Sequence, residues 1–212
     1  MQKAMQKAIF GRKLGMTQIF DEKGLMIPVT VIQAGPLTVL RKKTAERDGY
    51  QALVCAFEDV SDKKLTKPAA GVFKKAKVPA KKVVKELKLP VDSYEVGGTI
   101  DCEIFQNGDF VDVSGTSKGH GFTGAIKRWN HHRLKETHGT GPCVRERGSS
   151  GMRSDPSRVR KGLHMEGHWG HEKVTVQNLK VVRVDKDRNV LLVMGGIPGP
   201  KGGLVTVCQT VK

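Results

Sequence analysis

Apolar and polar residues alternate with a period of two through much of the chain, a pattern that predicts strands. Ile27, Val29 and Val31 alternate with Pro28, Thr30 and Ile32, and Gln51 to Phe57 is a short apolar run rich in strand formers. Ile100 to Ile104 alternates strictly and Phe110 to Val113 repeats the pattern. After a long interruption come Val174 to Val184, the polar turn Asp185-Lys186-Asp187-Arg188, Val190 to Met194, and a last strand at Leu204 to Cys208. Asp21-Glu22-Lys23-Gly24 suits a hairpin turn, with the glycine supplying positive φ. Pro28 lacks an amide hydrogen and favours an edge or bulge position. Short strands separated by turn signals indicate a barrel or a sandwich.

Two stretches break this pattern. From Leu65 to Pro90, the apolar residues Val83, Val84 and Leu87 stand among lysines. That spacing predicts one or two short amphipathic helices, broken by Pro79 and closed by Pro90. From Lys118 to Glu166 no period of 2 or 3.6 is sustained, apolar residues are sparse and glycines are frequent. A loop of this length without a core is unusual in a compact domain and is either functional or disordered. The expected organisation is therefore a β-rich body (1–60, 91–117 and 167–212), a Lys-rich helical insert (61–90) and a basic extension (118–166).

Charge sharpens that division. The chain has 212 residues, 38% of them hydrophobic, enough for one core, and a formal net charge of +16. Residues 61–90 hold ten lysines against Asp62 and Glu86, a net +8; residues 118–166 hold eleven Lys and Arg against four acids, a net +7. The body is left with +1, so nearly all the excess lies in the two inserts and calls for an anionic partner. A membrane is a poor fit, because no apolar run approaches the roughly 20 residues of a spanning helix. Met1 to Met16 lacks the apolar stretch of a signal peptide, which points to the cytoplasm. Cys55, Cys102, Cys143 and Cys208 form no C-x-x-C pair, and three lie in strand-like runs, as expected of reduced thiols.

The extension carries the candidate chemistry. Lys118, Lys127, Arg128, Arg133, Arg145, Arg147, Arg153, Arg158, Arg160 and Lys161 supply donors for phosphates, the arginines with planar groups that also stack on bases. Trp129 and Trp169, with His120, His131, His132, His138, His164, His168 and His171, supply rings for unpaired bases. Such a segment could gain its order by binding RNA. Doubled back into two arms of about 24 residues, it would reach at most about 80 Å.

Sharper motifs do not hold up. Gly119 to Gly124 matches G-x-G-x-x-G, but a dinucleotide site needs a buried strand before it and a packing helix after it. The stretch that follows, Lys127 to Arg133, is too basic for that. His164, His168 and His171, with Cys143, match no zinc spacing. No catalytic triad or carboxylate pair is present, so neither cofactor, metal, small-molecule substrate nor enzymatic activity is expected.

The residues resemble a known family. Gly11-Arg12-Lys13-Leu14-Gly15-Met16-Thr17-Gln18-Ile19-Phe20 is similar to the opening signature of the universal large-subunit ribosomal protein three, bacterial type. Pro28 to Pro36, Ser117 to Gly124, Lys173 to Leu179 and Gly195 to Val205 continue the likeness in order. The resemblance implies a mainly β fold: a six-stranded Greek-key barrel of the translation-protein type, with a small helical insert and a long extended loop. It implies direct binding to large-subunit ribosomal RNA near its 3′ end, early in assembly, beside neighbouring ribosomal proteins, with Arg12 and Lys13 added to the RNA-binding set. The extension would reach toward the peptidyl transferase centre, where RNA is the catalyst. Its tip would be Gly148, Ser149, Ser150, Gly151, Met152, Arg153, Ser154, Asp155 and Pro156. Some members carry a methylated glutamine two residues before the tip proline; Ser154 stands there, so no such modification is expected.

Overall fold

The computed structural model describes residues 7–211; six residues of the stretch read for a signal peptide lie outside it. The protein is mainly β, as the alternation predicts. In chain order the strands are β1 (Ala8–Phe20), β2 (Met26–Ala34), β3 (Leu37–Lys43), β4 (Ala52–Asp59), β5 (Lys81–Leu87), β6 (Thr99–Ile100), β7 (Phe110–Thr116), β8 (Gly121–Thr123), β9 (Gly167–Trp169), β10 (Lys173–Asp185), β11 (Val190–Met194) and β12 (Leu204–Gln209). Three short α-helices join them: α1 (Ala45–Asp48), α2 (Lys67–Ala76) and α3 (Ala125–Trp129). The chain divides into two compact units, Lys118–Glu172 and the residues on either side of it.

In the larger unit, six antiparallel strands close on themselves in the order β1-β12-β7-β10-β11-β2. Every second residue points inward. Ile9, Ile32, Val111, Val113, Val181, Leu191, Val193, Val205 and Val207 are buried together, each contributing roughly 1.5–3 kcal/mol. Gly11 lies among them because nothing larger fits: a Cβ there would sit 2.6 Å from both the Gln33 carbonyl oxygen and the Ile32 Cγ2. The Asp21–Gly24 turn forms as expected, Gly24 at φ 75° donating to the Asp21 carbonyl. Pro28 pairs with Gln18 of β1 but stands just beyond the stretch paired with β11, where its missing donor costs nothing.

A four-stranded sheet, β5-β4-β3-β6, accompanies this ring in the same unit. Ala52 to Phe57 are all buried because β4 is covered on both faces. Leu53, Cys55 and Phe57 join the main core, while Val54 and Ala56 pack with Leu40 and with Phe73 of α2. Two expectations fail here. Val83, Val84 and Leu87 belong to a strand, not a helix: β5 pairs with β4 from Leu53↔Leu87 to Asp59↔Lys81. Only Lys67–Ala76 of the insert is α-helical, started by a proline in its first turn and ended at Lys77 in the left-handed region. The exposed edge of buried β4 overrides the helical spacing of three apolar residues. Likewise Ile100 to Ile104 is not one strand. β6 ends at Ile100, and Cys102–Ile104 form a 3-10 turn.

Candidate nucleic-acid interface

The smaller unit has more internal order than its composition suggests. β8 and β9 pair antiparallel, Gly121↔Trp169, Phe122↔His168 and Thr123↔Gly167, so the two ends of the segment return side by side. The His120 amide donates to the Trp169 carbonyl at 2.8 Å, and their rings stack with centroids 4.2 Å apart. Phe122 meets His168 edge-on at 5.9 Å. α3 then carries Trp129 onto His164, 4.1 Å apart and nearly parallel, with His131 beside them. The Trp129 indole nitrogen and the Arg128 guanidinium both donate to the Met165 carbonyl, at 2.9 and 3.1 Å. Gly170 sits in this crossing at φ 78°, where a Cβ would come within 2.1 Å of the Lys118 carbonyl oxygen. The sequence-predicted site rings are thus split. His120 pairs with Trp169, Trp129 with His164, and His168 with Phe122, across 35–49 residues of chain, whereas His132, His138 and His171 are exposed without ring partners among the described residues.

The predicted cations divide in the same way. Arg133 pairs with Glu136, and Arg147 bonds the Ser150 hydroxyl and lies 4.0 Å from Glu166. Lys118, Lys127, Arg145, Arg153, Arg158, Arg160 and Lys161, together with Lys135, are exposed and make no ion pair or hydrogen bond among the described residues. At the expected tip, Gly148 to Pro156, the Ser149 hydroxyl holds the Gly151 backbone and Met152 is 79% exposed. The Gly119–Gly124 motif is spent on β8 and on the Gly124 cap of the five-residue α3, not on a buried parallel strand. Among the described residues no three His, Cys, Asp or Glu side chains converge on a possible metal position.

Arg12 and Lys13 stand apart, in β1 of the larger unit. Arg12 holds both carboxylate oxygens of Glu58 and the Gly202 carbonyl; its hydrogen bonds keep the Glu58 carboxyl below its usual range. Lys13 donates to the carbonyls of Ile197 and Gly199 at 2.8 and 3.0 Å. Their donors tie β1 to the 195–203 loop and to the end of β4, so the geometry gives both a structural role inside the body. Burial pushes the Cys55 and Cys208 thiols up to about 12 and about 11.

A closed β body interrupted by a segment with eight unengaged cations among the described residues suits the class of proteins that face a polyanion. The family model described as Ribosomal protein L3 matches residues 56–191. The large ribosomal subunit protein uL3 of Acetivibrio thermocellus is 52% identical over 210 residues, covering 98% of this chain and 99% of that protein. The chain belongs to the ribosomal protein L3 family, whose members are structural ribosomal proteins and not enzymes.

Proposed function

We propose that the protein is a structural constituent of the large ribosomal subunit in the cytoplasm, its body a Greek-key barrel of the translation-protein type. It binds large-subunit ribosomal RNA directly near the 3′ end, early enough to nucleate assembly, beside neighbouring subunit proteins. Its extension, with residues 148–156 as the tip, runs toward the peptidyl transferase centre. The domain reading follows: 1–60, 91–117 and 167–212 as body, 61–90 as a lysine-rich insert, and 118–166 as the penetrating arm. The observation that carries this is the set of eight exposed cations in Lys118–Glu172, Lys135 among them, with no partner among the described residues. Charges kept free at the cost of mutual repulsion are kept for an external anion.

The test is binding to ribosomal RNA fragments across a salt series, together with co-sedimentation with large subunits through high-salt washing. If all eight cations meet phosphates, log affinity should fall with log salt at a slope of about −5.6, about −0.7 for each single-strand-like phosphate neutralised. Salt-insensitive binding, or loss from the subunit at modest salt, would reject the reading.

A further inference from the structure

The outer wall of the closed ring carries a second cationic site. Phe10, Leu204, Thr206 and Cys208 lie on the outward positions of β1 and β12, and Ser114 and Thr116 on those of β7. Edge strand β5 stands opposite, its outer side unpaired. Between them is a cleft of about 470 Å³, within the usual range for small-ligand sites. Its walls differ in chemistry. One is apolar (Leu204 and Cys208, half-buried over the buried Phe10 and Leu87), one bears the hydroxyls of Thr116, Thr206 and Ser114, the last shared with Thr175 at 2.8 Å, and the rim bears Lys85, Lys88 and Lys173.

These three lysines are exposed and form no ion pair among the described residues. The one carboxylate on the rim, Glu86, is already claimed by Lys43 at 2.7 Å and by the Tyr50 hydroxyl at 2.7 Å, bonds that hold it below its usual range. Asp112, next along the same face of β7, accepts from the Asn178 amide. The cleft therefore has a net positive rim that no described residue neutralises.

We propose that this cleft is a separate RNA site, taking a single unstacked nucleotide: base against the apolar wall, its edge and ribose hydroxyl on the serine and threonines, phosphate on the lysines. Hydroxyls both donate and accept, which suits a base edge and a 2′-hydroxyl but is superfluous for a bare carboxylate. An acidic peptide would need only the lysines. The proposal rests on the RNA-binding reading above and deepens it. It picks Lys85 and Lys88 from the ten lysines of residues 61–90 and adds Lys173, which belongs to the otherwise near-neutral body.

The experiment uses the full-length, isotope-labelled chain, titrated with 5′-AMP at low salt while backbone amide shifts are followed. Shifts concentrated at residues 85–88, 114–116, 173 and 204–208 are expected. They should be lost in Lys85→Glu/Lys88→Glu and in Thr116→Trp, which fills the cleft without altering charge. Inorganic phosphate or an oligoglutamate producing the same shifts would overturn the proposal in favour of a bare anion site or a protein-binding surface; so would nucleotide shifts that survive Thr116→Trp. In parallel, Lys85→Ala/Lys88→Ala should lower the salt slope for ribosomal RNA by about 0.7 for each phosphate no longer neutralised. RNA affinity that depends on Arg158 and Arg160 but not on Lys85, Lys88 or the nucleotide would sink this inference alone; failure of the whole chain to bind RNA would sink the reading beneath it.

Discussion

The two compact units use the same residue types for opposite ends. In the larger unit several cations set against the folded strands are occupied. Arg12 is held by Glu58, Lys7 by Asp109, Lys43 by Glu86 and Lys81 by Asp59. In the smaller unit most cations are left open, although Glu136, Glu146, Asp155 and Glu166 are close in sequence. At particular glycines the contrast repeats, although Gly170 at the root of the smaller unit is as confined as any. Gly11 and Gly115 are confined by neighbours at 2.6–3.3 Å, while a side chain at Gly139, Gly148 or Gly162 would meet nothing within 4 Å. Around its strands the larger unit has spent polar groups on itself; its lysine-rich insert, like the smaller unit, withholds them. A folded core needs the first arrangement, and a surface built for a polyanion needs the second.

The sharpest way to break this comparison is to remove the smaller unit. Thr116 of β7 stands opposite Lys173 of β10 in an antiparallel ladder, so a two-residue Asn-Gly turn can replace residues 117–172 in register. The shortened chain should keep its cooperative unfolding transition and near-UV signature while losing most of its affinity for ribosomal RNA. A chain that no longer folds would show that the extension belongs to the core. The next effect is on the packed unit. Gly11→Val should cost about 1–3 kcal/mol through overpacking, lowering the thermal midpoint by several degrees, with the salt slope for RNA unchanged.

The smallest effect concerns the occupied charges. Glu58 is held below its usual range by hydrogen bonds from Arg12, and Glu86 by Lys43 and Tyr50. Asp109, although burial pushes it up, is drawn down further by Lys7 and the Gln106 amide. A carboxyl with a depressed folded value adds stability that is fully present above its unfolded value and fades as pH falls through the folded one. Stability should therefore decline below about pH 4. In Glu58→Gln the decline should be shallower, as read from denaturant midpoints across pH. An identical decline in the variant would mean that the Arg12–Glu58 pair adds nothing to the body.

Phe110 to Val113 was legible because one face meets the core and register follows from period alone. β2 was legible as a strand, but its inward residues are Thr30, Ile32 and Ala34, not the Ile27-Val29-Val31 face that alternation suggested. β5 was not legible even as a strand. Val83, Val84 and Leu87 fit one helical face as well as a strand, and only the unpaired edge of β4, some thirty residues earlier, decides between them. The same limit applies to the site. Charge segregation located the extension, but which rings are free could not be read. Trp129 finds His164, and His120 finds Trp169, through a backbone crossing that leaves no periodic trace. The cleft beside β5 was hidden for a related reason, since Lys88 and Lys173 come together only through the ring's outer wall.

The pairing of β1 with β12 has a consequence for the order in which the protein takes shape. The ring joins its first strand to its last, so no part of the chain can complete it until β12 has left the site of synthesis. Until then the β1–β2 hairpin carries Ile9, Val29 and Ile32 without their final cover. Closure across nearly the whole chain is also a high-contact-order step and therefore a slow one. The arm between β7 and β10 is made before the ring can shut, so the cationic segment is available to RNA while the body is still open.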